Sequence, residues 1–175
     1  MINYIGNFDV NKDWLAALDA KMSEESLCGI ELVKETSYKY AKYKNAGYET
    51  CHIRFRVADP IVIPDGPWET PAGLLIRQSP GHMLPVHVDE LESYRNNNNV
   101  NEVWQILIFL KDWQCGQVFG VEEKTITNWK AGDAICWKWM TEHYLVNASL
   151  YNLDLLQILS STAPTQETHQ LSVSL

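Results

Sequence analysis

The strongest constraint on this chain is spacing. Short apolar segments at 73–77, 103–110, 117–120, 124–129, 133–139 and 153–159 follow one another, each bounded by turn-forming residues. A parallel sheet needs a long, usually helical crossover between successive strands, and these gaps leave no room for such helices. Upstream, 29–33 and 51–57 alternate apolar and polar residues with period two, the pattern of half-buried strands. The stretch 60–71 is rich in Pro and Gly and reads as an irregular connection. Many short strands with few helices make a mainly β sandwich or barrel.

One helix stands out. Over 11–27, Trp14, Leu15, Leu18 and Met22 fall on one stripe, and Asn11 or Asp9 is placed to cap the first turn. It reads as a helix covering the core from outside. Asn96 to Asn99, with Asn101, reads as a polar loop. The polar tail over 162–175 ends in an alternating stretch that would suit one more strand. With 175 residues, one domain is expected: an N-terminal helix and supporting strands over 1–69, a core over 70–160, and the tail.

The net charge of −8 argues against a nonspecific grip on nucleic acid, whose phosphates need a basic face. No apolar run approaches a membrane span, and the first residues carry no basic segment followed by an apolar one. Cys28, Cys51, Cys115 and Cys136 are dispersed, with no C-x-x-C pair. Together these features read as reduced thiols in a cytoplasmic protein.

The chemistry concentrates in 80–89. His87 and Asp89 are two apart, and on a strand such residues point to the same face. An imidazole nitrogen and a carboxylate oxygen side by side make two ligands for one divalent metal. A lone His-x-Asp is a weak signal, and satisfied polar residues are its plain alternative. A third ligand must come from His52, His82, His143 or His169. His143 follows a Trp-bearing strand segment and precedes another strand, so it suits an opposing strand. Two His and one carboxylate leave coordination positions open, as non-haem Fe(II) requires, whereas structural zinc prefers four closed ligands and more sulfur.

Residues 80–82 and 87–89, then 108–116, 128–133, and His143 with Asn147 together resemble the Fe(II)- and 2-oxoglutarate-dependent oxygenases. The likeness is to small members related to aspartyl/asparaginyl β-hydroxylases, of the kind found in phages and marine microbes, and it covers roughly 70–160. It implies a double-stranded β-helix (a jelly-roll, cupin-like fold) with His87, Asp89 and His143 as a facial triad. It also implies Fe(II), 2-oxoglutarate and O2 as reactants, with hydroxylation of an unactivated C–H and release of succinate and CO2.

Members of this family usually place an Arg a short way after the distal His, to pair with the far carboxylate of 2-oxoglutarate. This chain has Leu153 there, with Asp154 beside it. Arg77, on the strand leading to the metal loop, is the first candidate to replace it, and a surface ion pair is its other reading. Lys138 is the second candidate, and Gln117 offers a neutral donor. Asn147 is placed to orient His143 or to make a turn. Trp137 and Trp139 share a face, as pocket lining or core. His82 reads as a substrate contact or an uninvolved loop residue. His52, Arg54 and Arg56 share a strand face that suits an anionic substrate or plain solvent. Two alternatives stand beside the oxygenase: a cupin-like metalloenzyme that does not use 2-oxoglutarate, and a non-catalytic jelly-roll binding module. The substrate, small molecule or protein side chain, is not readable, nor is the oligomeric state.

Overall fold

A computed structural model describes residues 2–27, 54–57 and 63–164. The strand expected at 29–33, the start of the one at 51–57 (His52 included) and the end of the tail lie outside the described residues.

The elements are β1 (Asn3–Asn7), α1 (Lys12–Leu27), β2 (Arg54–Val57), β3 (Ala72–Gln78), β4 (His82–His87), α2 (Glu92–Asn98), β5 (Trp104–Phe109), β6 (Gln117–Val121), β7 (Lys124–Ile126), β8 (Asp133–Lys138), β9 (His143–Asn147) and β10 (Leu153–Ser160). Six strands pair in the order β1-β8-β5-β10-β3-β2, and four in the order β4-β9-β6-β7. All the pairings are antiparallel. The two sheets face each other as a mainly β jelly-roll.

Period-two alternation gives the larger sheet two apolar faces. Ile106 and Ile108 of β5, Leu75 of β3, Leu156 and Ile158 of β10 and Ala134 and Cys136 of β8 pack outward, against Trp14 and Leu18 of α1. Phe109 and Leu107, Ile76, Leu155 and Trp137 point inward, where they meet Leu84, Phe119 and Leu145 of the smaller sheet. Trp14 and Leu18 are almost wholly buried, so each contributes about 1.5–3 kcal/mol of apolar transfer. The helix begins where the sequence places its cap, since Asn11 Oδ1 accepts the Asp13 N–H at 2.9 Å.

The asparagine run differs from its sequence reading. Residues 92–98 form α2, although Asn is a poor helix former. Tertiary anchoring decides this. Tyr94 is buried and donates to Thr70 O at 2.7 Å, while Asn98 donates to Tyr94 O at 2.9 Å. Asn99, at φ 51°, stops the helix in the left-handed conformation that Asn tolerates.

A tight turn at Gly132-Asp133 leads into β8. Gly132 has φ 90°, and a Cβ there would lie 2.2 Å from Phe8 O. Asp133 then closes the corner by accepting from Lys130 N, Tyr4 Oη and Asn7 Nδ2. Burial and the negative charge of Asp133 push the Tyr4 hydroxyl up to about 12.

Candidate metal centre

β4 and β9 pair directly, and the pairing sets His87 opposite His143. The register carries one irregularity. Leu84 pairs with Leu145, yet the next matched pair is His87 with His143, so β4 holds one extra residue at Pro85-Val86. Pro85 lacks the N–H of a regular ladder, and a bulge is where a strand accommodates it. The extra residue turns Val86 out to solvent, where it is 53% exposed, and brings His87 rather than Val86 opposite His143.

β4 ends at His87, so Asp89 stands in the following loop rather than on the strand. Its carboxylate still reaches both imidazoles. Asp89 Oδ1 is 3.6 Å from His87 Nε2, and Oδ2 is 3.4 Å from His143 Nε2. The three residues offer ligand atoms all within 4.8 Å of one another.

The donor set fits a divalent metal. His87 Nδ1 lies 2.9 Å from Pro85 O, and His143 Nδ1 lies 3.0 Å from Thr141 O. A carbonyl only accepts, so each Nδ1 carries a proton, which in the neutral imidazole leaves the lone pair on Nε2. This is the orienting contact that metal-binding imidazoles commonly have. The His87 and His143 ring centroids are 4.2 Å apart, and Trp137 lies 5.3 Å from His143.

The triad opens into a cavity of about 240 Å³. Its wall is mostly apolar, including Leu74, Ile76, Leu107, Phe119, Leu145 and Leu155. Gln157 and Trp137 are the polar side chains of this lining besides the triad, and the described lining holds no Arg or Lys.

The three residues named as co-substrate anchors stand elsewhere. Ile76 lines the cavity, so its neighbour Arg77 points to the opposite face of the sheet. There it is 1% exposed beneath α1. Its Nε and Nη2 donate to Asp154 at 2.6 and 2.9 Å, and Nη1 donates to Asp19. Burial opposes the charge on Arg77, but the hydrogen bonds to Asp154 and Asp19 outweigh it and raise the pKa above its ordinary value. Lys138 pairs with Glu102 at 2.5 Å on the exposed rim. Gln117 is buried, donates to Ser149 Oγ at 3.3 Å and accepts from Gln114 N at 3.1 Å. None of the three lines the cavity.

Asn147 is likewise a turn residue rather than a partner of His143. It donates to Gln78 O and Tyr151 O and accepts from Ser149, closing the turn after β9. His82 is the first residue of β4, and its Nδ1 lies 2.8 Å from Pro80 O in the turn before it. Trp137 lines the cavity, whereas Trp139 carries the Arg95 guanidinium 4.1 Å above its ring. Sequence reasoning missed Gln105 and Gln157, which face inward among apolar residues. The signal available for them was a polar residue at an inward position of an otherwise apolar strand.

No family model matches the chain, and no curated protein does. Solved structures are similar in part. KdgF from a Halomonas species shares 14% identity with a TM-score of 0.42, over 63% of this chain and 80% of that one. A cupin domain from Bordetella pertussis shares 12%, with a TM-score of 0.40, over 63% and 94%. The cupin domain of Cnp3 from Schizosaccharomyces pombe shares 10%, with a TM-score of 0.42, over 62% and 65%. No helix among the described residues is long and apolar enough to cross a membrane.

Proposed function

We propose that this protein is a mononuclear non-haem Fe(II) oxygenase that uses 2-oxoglutarate and O2 to hydroxylate a C–H bond, releasing succinate and CO2. The observation that carries the reading is the convergence of His87, Asp89 and His143 with both Nδ1 atoms committed to carbonyls. Three donors of this kind leave positions for a co-substrate and dioxygen. Bound Fe(II) supplies the activation of dioxygen that no side chain provides. The chain's own residues do the rest. His87, Asp89 and His143 hold the metal, and the Pro85 and Thr141 carbonyls keep the imidazoles in the ligating tautomer. Phe119, Leu145 and Leu155 wall the reacting region with apolar surface that limits water.

One observation favours a second reading, a jelly-roll metalloenzyme that does not use 2-oxoglutarate. A dicarboxylate buried in this cavity needs a cation, and the described lining supplies none. Under the first reading the position to test is Arg56, whose backbone pairs with that of cavity-lining Ile76. The two readings part on one assay. Purified protein with Fe(II), O2 and 2-oxoglutarate should form succinate, and Asp89→Ala should abolish it. Arg56→Ala should raise the KM for 2-oxoglutarate more than it lowers kcat. Stoichiometric Fe(II) uptake with no succinate from any candidate substrate would leave the second reading standing.

A further inference from the structure

The inner face of the larger sheet carries two glutamines that the metal site leaves unused. Gln105 on β5 is wholly buried. Trp137 of β8 is its direct cross-strand partner, and Gln157 of β10 is its diagonal neighbour. A buried amide among apolar residues is costly unless its hydrogen bonds are made.

Its neighbours fix how the Gln105 amide is oriented. One terminal atom lies 2.9 Å from Asp89 Oδ2, and the other lies 3.3 Å from Trp137 Nε1. An ionised carboxylate only accepts, and an indole N–H only donates. The nitrogen therefore faces Asp89 and the oxygen faces Trp137. Both ends demand the same orientation. That atom lies 2.7 Å from the Gln157 amide, and with nitrogen there Gln157 has to present its oxygen to it.

This contact reaches the one carboxylate of the triad. The two imidazoles are each fixed by a carbonyl two residues before them, whereas Asp89 stands in a loop beyond the end of β4. We propose that Gln105 is a positioning residue for Asp89: its N–H holds Oδ2 toward the two imidazoles, and Trp137 and Gln157 lock the amide that does so. This inference rests on the metal reading above. It adds a strand residue, anchored in the core, that sets the direction of the loop-borne ligand.

The test is Co(II) titration of metal-free wild type, Gln105→Leu, Gln105→Met and His87→Ala, reading affinity and the ligand-field absorption spectrum. Thermal melting of each metal-free protein reports folding. The wild type should bind one Co(II) and His87→Ala should lose that site. In both Gln105 variants affinity should fall about ten- to hundredfold, with a changed spectrum, while the metal-free fold persists. A residue that only filled space would not alter the spectrum in a folded variant. Wild-type affinity and spectrum in a folded Gln105 variant would overturn the positioning role and leave the metal reading intact. Failure of the wild type to take up Co(II) would overturn both. Gln105→Met, unbranched and close in volume, keeps the test decisive if Gln105→Leu does not fold.

Discussion

The six-stranded sheet has a charged cluster on each side of it, and the two are held in opposite ways. On the outer face, Arg77 and Asp154 sit opposite each other across β3 and β10, buried beneath α1; the exposed Asp19 of α1 pairs with Arg77, and Lys111 reaches Asp154 at 2.7 Å. Every charge there has a protein partner, and Asp154 is fully buried. Between the sheets, Asp89 meets two imidazoles and no Arg or Lys among the described cavity-lining residues. The outer cluster is neutralised by its own residues and acts as structure. The inner cluster offers three donors to an open cavity, an arrangement that a bound cation would complete. Ion pairs alone do not separate the two; the face of the strand and what lies against it do.

The largest expected effect breaks the outer face. Arg77→Ala leaves a buried carboxylate with a single half-exposed lysine, and it should cost about 3–5 kcal/mol. The double variant Arg77→Met/Asp154→Leu should recover most of this, because both charges go together. Chemical denaturation measures each term. If Arg77→Ala kept full stability and instead weakened 2-oxoglutarate binding, the contrast between the faces would fail.

The inner cluster should respond to metal. Co(II) or Fe(II) at a hundred times its Kd should stabilise the wild type by about 2.7 kcal/mol. His87→Ala, Asp89→Ala and His143→Ala should each remove this increment while folding without metal. Thermal shift with and without metal distinguishes loss of the site from loss of the fold.

Lys138→Ala sharpens the contrast from the rim. Its pair with Glu102 is half exposed, so stability should change by about 1 kcal/mol or less, and succinate formation by less than about twofold. A large rise in the KM for 2-oxoglutarate would return Lys138 to the co-substrate.

The smallest effect is an acid one. The Ala131 backbone N–H, with help from Lys130, holds the Asp112 carboxyl below its usual range. A depressed pKa adds stability that is present above the unfolded pKa and lost as pH falls through the folded one. Asp112→Asn should therefore be slightly less stable than the wild type near neutrality. The difference should vanish in acid, which pH-dependent melting would show.

Much of this was legible in the chain. The strands β3, β5, β6, β8 and β10 fall where short apolar segments bounded by turn residues lie, because strands buried on both faces read as continuous apolar runs. Asn11 capped α1 as its position indicates. His87 and Asp89 advertised themselves by spacing, although the strand ends between them. The helix over Glu92–Asn98 was hidden, because a buried tyrosine overrides local propensity. So was the bulge at Pro85-Val86, which depends on how β4 meets β9.

Arg77 marks the boundary between the two kinds of information. Sequence alone determined that an arginine precedes the metal loop on a strand, and that the chain must build antiparallel sheets. Tertiary structure decided which side of the sheet that strand shows to the cavity. The physical reason is parity. One residue along a strand reverses the direction of a side chain, and only pairing and the packing of α1 fix which residues face in. The same rule put Ile76, not Arg77, into the cavity, and one extra residue in β4 brought His87 to His143.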